Sequence, residues 1–119
     1  MDATEIARIN EALDRYGERF VRRVFTEGEV AYCRRKRDFA PSFAARFAAK
    51  EATMKALGTG WARGVHWTGI EVVRRHGPPR LTFHGGAAAR FAELGCTASL
   101  LTLTHSKDRA IAHVMLLRE

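Results

Sequence analysis

The sequence contains few cysteines and no long apolar run, and both absences narrow the class of protein. Its two cysteines, Cys33 and Cys96, lie far apart without metal-ligand spacing, so reduced thiols are favoured over a disulfide or a zinc site. No apolar run approaches the roughly 20 residues that a membrane-spanning helix needs, so no membrane association is expected. Asp2 and Glu5 stand where a secretory signal would carry basic residues, and we therefore expect a cytoplasmic protein.

Internal repeats, low-complexity tracts and linkers are also absent, which favours a single domain over residues 1–119. Hydrophobic residues make up 46% of the chain and charged residues 28%, as is ordinary for a globular protein. A chain this short exposes much of its surface, and oligomerisation is a common remedy. The formal charge of +7 suits an anionic partner, but nucleic acid, an anionic cofactor and an acidic protein all meet that condition.

The order of the helical and strand patterns predicts an α+β fold, with helices early and an antiparallel sheet late. Apolar residues recur at steps of three and four in the first helical segment, which Gly17 interrupts. Thr26 and Glu29 predict a capping box, and Ser42 is the candidate N-cap of an alanine-rich helix that ends at Gly58. Helices are predicted over about Ala3 to Phe25, Glu27 to Arg34, Phe43 to Leu57 and Ala87 to Leu94. Strands are predicted around Val65 to Val73, Arg80 to His84, Ser99 to Thr104 and Ala110 to Leu117.

The stretch Phe47 to Gly60, FAAKEATMKALGTG, contains the candidates for chemistry. Glu51 and Lys55 are four residues apart on one helix face, and by spacing alone they are best explained as an exposed ion pair contributing about 0.3–0.5 kcal/mol. The backbone N–H groups of Gly58 and Gly60 could approach a phosphate. Spacing alone favours a plain helix C-cap there, because phosphates usually bind at helix N-termini.

A longer pattern in the same region is far more specific. Arg46 to Gly60 follows R-F-A-A-K-E-A-x-x-K-A-x-G-T-G and resembles the signature of the holo-acyl-carrier-protein synthases, the small bacterial 4′-phosphopantetheinyl transferases. The resemblance implies their fold and their reaction, transfer of the 4′-phosphopantetheine arm of coenzyme A to a serine of an acyl carrier protein. It covers nearly the whole chain, with further similar segments at Asp2 to Ile9, Phe20 to Cys33, Pro79 to Leu81 and Leu101 to Ser106.

The resemblance implies a magnesium site formed by Asp2 and Glu51. Such a site is chemically reasonable because Mg²⁺ binds oxygen ligands, usually one or two carboxylates together with substrate phosphates and water. Lys55 matches a lysine near the pyrophosphate of coenzyme A, where it would steady charge or transfer a proton. His105 matches a histidine near the phosphates. The resemblance also places four residues in the region that lines the coenzyme A site: Arg46, Lys50, Gly58 and Gly60.

The nucleophile implied by the resemblance is the carrier-protein serine, so the chain needs no nucleophile of its own. A general base is required, and Glu51, His105 or a metal-bound hydroxide could serve. Arg8, Arg19 and Arg23 fall where the family presents arginines to the acidic carrier protein, which would belong to fatty-acid or polyketide synthesis. The family forms homotrimers with active sites between subunits, and the same assembly is expected here.

One feature departs from the family pattern. Members usually carry a short apolar strand just before the metal-binding aspartate, whereas Met1 directly precedes Asp2 here. We therefore expect the sheet to lack an edge, and a catalytically impaired transferase-like subunit is one alternative. The other alternative is a basic nucleic-acid-binding domain, but no helix-turn-helix spacing, zinc-ligand pattern or aromatic–basic strand motif supports it.

Overall fold

Five helices and five strands make up the chain, and the computed structural model describes all of it, residues 1–119. The helices are α1 (Ile6–Tyr16), α2 (Glu18–Val24), α3 (Glu27–Arg34), α4 (Ala40–Leu57) and α5 (Gly85–Glu93). The strands are β1 (Asp2–Glu5), β2 (Ile70–Val73), β3 (Arg80–Phe83), β4 (Ala98–His105) and β5 (Arg109–Leu117). The predicted α+β class is confirmed, and no helix has the length and apolar character needed to cross a membrane.

The first residues form an edge strand, contrary to two predictions. Strand β1 pairs antiparallel with β5, with Asp2 opposite Ala112, in a three-stranded sheet of order β1-β5-β4. Thr4 is buried while Ala3 and Glu5 are exposed, an alternation typical of a half-buried strand. The helix therefore begins at Ile6 instead of Ala3, and the expectation that the sheet lacks an edge is wrong.

Helix α4 covers the inner face of this sheet and carries four of the predicted site residues, Arg46, Lys50, Glu51 and Lys55. The face toward the sheet is built from small buried side chains: Ala44, Ala45, Ala48, Ala49 and Ala52. Opposite them, Ala110 and Ala112 of β5 are also fully buried, so helix and strand approach closely. The helix ends at Gly58, whose φ of 75° lies in the left-handed region that the predicted C-cap requires.

The start of α4 differs from the prediction. The helix begins at Ala40, three residues before Phe43, with Pro41 in its first turn. Proline is tolerated there because the first N–H groups of a helix have no intrahelical partner. Ser42 therefore lies inside the helix and is not its N-cap.

The predicted break at Gly17 and the predicted capping box are both present in the N-terminal helices. Gly17, with a φ of 55°, separates α1 from α2. The capping box of α3 is confirmed, because Glu29 N–H donates to Thr26 Oγ1 at 3.2 Å and Thr26 N–H donates to Glu29 Oε1 at 2.9 Å.

A second sheet consists of the β2–β3 hairpin, in which Ile70 pairs with Phe83. The prediction that the strand includes Val65 and Trp67 is wrong. Val65 lies in a loop, and Trp67 begins a 3₁₀ turn. The carbonyls of Trp67 and Ile70 accept hydrogen bonds from the Lys50 side chain, so a side chain satisfies backbone groups in this segment.

Candidate active site

The fold brings Asp2 beside α4, although 53 residues separate Asp2 from Lys55. The Asp2 side chain is only 10% exposed, and its Oδ1 accepts a hydrogen bond from Lys55 Nζ at 2.8 Å. Glu51 lies one turn before Lys55 on the same helix face. The predicted metal ligands and the predicted pyrophosphate-binding lysine thus form one cluster, which we call the Asp2 cluster.

Negative charge in the Asp2 cluster is incompletely compensated. Burial raises the pKa of Glu51 above its ordinary value, and the charge of Asp2 raises it further, while Lys55 and Arg8 oppose the shift. Asp2 Oδ2 is buried and has no hydrogen-bond partner. Two neighbouring carboxylates, one of which holds an unpaired buried oxygen, favour the binding of a cation.

The donors of this cluster fit Mg²⁺. They are oxygen atoms only, and Mg²⁺ commonly binds through one or two carboxylates while water and substrate phosphates supply its other ligands. The structure contains no group of three or more His, Cys, Asp and Glu side chains that could hold a metal by themselves. A metal held by Asp2 and Glu51 would therefore take its remaining ligands from other oxygen atoms, such as those of water and substrate phosphates.

Lys55 pairs with Asp2, which corrects the expectation of a surface ion pair with Glu51. The hydrogen bond from Lys55 to Asp2 raises the pKa of the lysine, and the charge of Asp2 adds to the effect. The Lys55 side chain is 71% exposed, so a charged ammonium group remains accessible to a ligand.

Arg46 and His105 line a separate cavity of about 350 Å³, which we call the Arg46 cavity. Lys36 and Arg74 add two further cations to its wall. Arg46 is only 3% exposed, yet its Nε has no hydrogen-bond partner, and its guanidinium carbon lies 4.2 Å from the centre of the Tyr32 ring. Because three cations outnumber the one carboxylate in the wall, that of Asp38, the cavity suits a phosphate or another anion.

Tyr32, Lys36 and Arg74 were not predicted as site residues. Burial alone would raise the pKa of Tyr32, but a hydrogen bond with Lys36 and the charges of Lys36, Arg46 and Arg74 lower it overall. These residues come from α3, the segment after it and the β2–β3 turn, so no regular spacing in the sequence connects them. The available signals were the charged loop from Arg34 to Asp38 and the family-like segment Phe20 to Cys33, which contains Tyr32.

The Asp2 cluster and the Arg46 cavity do not meet within one chain. Arg46 precedes Glu51 by five residues, which places the two side chains about 140° apart around α4. None of the three residues of the Asp2 cluster lines the Arg46 cavity. The two groups are therefore separate sites on the surface of one chain.

Lys50 is the predicted ligand-binding residue that the structure places elsewhere. Its side chain is 0% exposed, and its Nζ lies 2.8 Å from Glu29 Oε1 and 2.9 Å from the carbonyl oxygen of Trp67. Burial lowers the pKa of Lys50, and the charge of Glu29 opposes that effect. The prediction that Lys50 lines the coenzyme A site is wrong, because a side chain buried in this way cannot reach a ligand at the surface.

The family model of the 4′-phosphopantetheinyl transferase superfamily matches residues 1–114 of the sequence. The chain belongs to this superfamily. A protein named holo-[acyl-carrier-protein] synthase from Solibacter usitatus is 48% identical over 118 residues, which cover 98% of this transferase and 94% of that protein. The resemblance found in the sequence is therefore confirmed, and the chain is an enzyme of the holo-acyl-carrier-protein synthase family.

Solved structures of the same family share the fold of this transferase. Holo-[acyl-carrier-protein] synthase from Neisseria meningitidis superposes with a TM-score of 0.89 at 26% identity, covering 98% of this chain and 94% of that chain. The enzyme from Helicobacter pylori, solved in complex with coenzyme A, superposes with a TM-score of 0.84 at 26% identity, covering 98% and 96%. Neither alternative, the nucleic-acid-binding domain or the impaired subunit, is favoured by these matches.

Two glycines follow the last turn of α4 in the transferase. The N–H of Gly58 donates to the carbonyls of Met54 and Lys55, so it serves the predicted C-cap and is not free for a phosphate. Gly60 has a φ of 56°, and no atom lies within 4 Å of the position that a Cβ would occupy. A ligand could approach the backbone at Gly60 more readily than at Gly58.

The three arginines predicted to bind the carrier protein lie on the N-terminal helices of the transferase. Arg8 is on α1, Arg19 and Arg23 are on α2, and all three are exposed without a salt bridge to an acidic side chain. Arg19 and Arg23 line a shallow cavity of about 470 Å³ together with Tyr16 and Phe20. The surface is therefore both basic and apolar.

Proposed function

We propose that the transferase moves the 4′-phosphopantetheine group from coenzyme A to a serine of an apo acyl carrier protein, in a Mg²⁺-dependent reaction. The products are the holo carrier protein and adenosine 3′,5′-bisphosphate. The observation that carries the proposal is the Asp2 cluster, in which a buried, unpaired carboxylate oxygen lies beside the partly buried Glu51 and the accessible Lys55. Use of coenzyme A and two free thiols favour a cytoplasmic location.

The residues of the chain have separate roles in this reaction. Asp2 and Glu51 would hold the metal, which when bound neutralises charge on the pyrophosphate. Lys55 would donate a hydrogen bond to the phosphate oxygen that gains charge as the bond to adenosine 3′,5′-bisphosphate breaks. Arg46 and His105 would bind phosphate oxygens of coenzyme A through charge-assisted hydrogen bonds. Gly60 would offer backbone contacts near the end of α4.

The carrier-protein serine supplies the oxygen of the new bond to phosphorus and must lose its proton. Glu51 and His105 are the side chains that could accept it. A bound cation makes the carboxylates that hold it weaker bases, so the raised pKa of Glu51 without metal does not select it, and both side chains stay candidates for accepting the proton.

A homotrimer with active sites between subunits would unite the Asp2 cluster of one subunit with the Arg46 cavity of another. The outer face of the three-stranded sheet supports such an assembly, because α4 covers only the inner face. Leu100 and Met115 lie directly opposite each other on that outer face and are 57% and 47% exposed. Contact with a second copy would bury this apolar pair. Light scattering after size-exclusion chromatography should give the mass of three chains, and Leu100→Lys should lower it.

The activity is tested by the intact mass of an apo acyl carrier protein after incubation with the transferase, coenzyme A and Mg²⁺, with EDTA as the control. We expect a metal-dependent mass increase equal to one phosphopantetheine. Asp2→Asn and Glu51→Gln should abolish it, whereas Asp14→Asn, the matched change at an exposed aspartate of α1, should not. A mass increase that persists in EDTA or in Asp2→Asn would refute the proposed metal site.

The carrier-protein surface is tested with the double variant Arg8→Glu and Arg19→Glu. Charge reversal should raise the KM for the acidic carrier protein by more than it weakens coenzyme A binding, because neither side chain lines the Arg46 cavity, although the charge of Arg8 also acts on Glu51. Arg118→Glu, at an exposed position near the C-terminus, controls for net charge. Equal losses of both functions would show that the arginines act through folding and not through docking.

A further inference from the structure

Lys55 forms a hydrogen bond to one of the two carboxylate oxygens of Asp2, the residue that would bind the metal. Its Nζ contacts Asp2 Oδ1 at 2.8 Å, and Asp2 Oδ2 is buried without a partner. Lys55 is the one cation that forms a salt bridge with Asp2, and Arg8 adds a second positive charge near Glu51 without a salt bridge to it. The Asp2 cluster is therefore held together without metal, although one of its buried carboxylate oxygens has no partner.

We propose that Lys55 is a placeholder for the divalent cation: it holds Asp2 in place in the metal-free enzyme and releases it when the metal binds. This inference rests on the proposed function, which supplies the metal. Because the Lys55 side chain is 71% exposed, its ammonium group can leave Asp2 by rotation of a flexible stem, without moving the backbone of α4.

Release of Lys55 links metal binding to substrate binding. An ammonium group that stays on Asp2 repels an incoming divalent cation, so the two compete for the same carboxylate. Once displaced, the ammonium is free to bind an oxygen of the coenzyme A pyrophosphate. Removing the charge of Lys55 should therefore strengthen binding of the metal alone and weaken binding of coenzyme A, two effects of opposite sign from one substitution.

The experiment measures Mn²⁺ binding to the full-length enzyme, without coenzyme A, by the EPR signal of free Mn²⁺. Lys55→Met keeps most of the side-chain length without the charge, and Lys107→Met makes the same change at an exposed lysine of the β4–β5 turn. We expect Lys55→Met to bind Mn²⁺ about two- to fivefold more tightly than wild type, the range that exposed ion pairs span. Lys107→Met should bind as wild type does.

A second readout needs no substitution. In ¹⁵N-lysine NMR spectra, Mg²⁺ should shift the Lys55 side-chain signal and leave the Lys107 signal unchanged. The placeholder role is refuted if Lys55→Met binds Mn²⁺ no more tightly than wild type, or if Mg²⁺ does not shift the Lys55 signal. In either case, metal-dependent transfer by the wild-type enzyme would leave the proposed function intact. If wild type neither binds Mn²⁺ nor modifies the carrier protein, the proposed function and the placeholder fail together.

Discussion

The buried ion pair between Lys50 and Glu29 offers the sharpest test of how this enzyme is stabilised. Both side chains are 0% exposed, and Glu29 Oε2 also accepts a hydrogen bond from Val72 N–H at 2.8 Å. The pair thus connects α4 to α3 and to strand β2. Lys50→Met keeps the volume of the side chain but leaves the carboxylate of Glu29 without its cation and removes the hydrogen bonds from Lys50 to the carbonyls of Trp67 and Ile70.

The expected cost of Lys50→Met is large, because removing one partner of a buried ion pair typically lowers the free energy of unfolding by about 3–5 kcal/mol. For a chain of this length that corresponds to a fall in Tm of about 10–25 °C. Adding Glu29→Gln removes the orphaned charge, so the double variant should be about 1–3 kcal/mol more stable than Lys50→Met alone. A second substitution that restores stability is not expected from two independent sites.

Urea unfolding followed by far-UV circular dichroism measures these differences, at one fixed protein concentration because oligomers unfold in a concentration-dependent way. Lys107→Met, the surface control, should lie within about 0.5 kcal/mol of wild type. Two results would contradict this account of the ion pair. One is a free energy of unfolding of Lys50→Met within about 1 kcal/mol of wild type, and the other is a double variant less stable than Lys50→Met alone.

Three further predictions concern other parts of the fold. Although burial opposes the shift, hydrogen bonds with a threonine and a histidine side chain lower the pKa of Glu71. The stability that this carboxylate contributes is present above its unfolded pKa and is lost as the pH falls through the lowered folded pKa. Glu71→Gln should therefore make the free energy of unfolding less dependent on pH below about pH 5. An unaltered dependence on pH would contradict this. Burial raises the pKa of Cys33 to about 11, so only about one molecule in a thousand carries the Cys33 thiolate at pH 8. Ellman's reagent should therefore react with Cys96 alone until the chain unfolds, and two fast-reacting thiols would contradict this. A Cβ at Gly86 would lie 2.1 Å from the backbone oxygen of Gly64, so Gly86→Ala should lower the free energy of unfolding by about 1–3 kcal/mol in urea, and an unchanged midpoint would refute that close approach.

Local signals in the sequence predicted the helices well and the short strands less well. The capping box of α3 and the glycine that ends α4 involve residues within a few positions of each other, so sequence patterns report them directly. Strand β1 has four residues, too few for a periodic pattern, and it forms because β5, more than 100 residues away, provides its partner. No pattern within the first residues could have shown that pairing.

The site was predicted in part for the same reason. Asp2, Glu51 and Lys55 were identified by family resemblance, and the fold brings them together. The walls of the Arg46 cavity come from several separate parts of the chain, and Arg74 lies in none of the segments that resemble the family. Their arrangement depends on how the β2–β3 turn packs against α3, which local patterns do not contain.

The error at Lys50 shows what a signature motif does and does not report. Lys50 and Glu51 are neighbours in the motif, but successive residues of a helix point about 100° apart. Lys50 therefore enters the core beside Glu29, while Glu51 faces Asp2 at the edge of the sheet. The motif thus contains two neighbouring residues with different surroundings: Lys50 connects α4 to Glu29, and Glu51 is the proposed metal ligand. Only burial separates the two roles, so Lys50→Met should lose stability first, whereas Glu51→Gln should lose activity with little loss of stability.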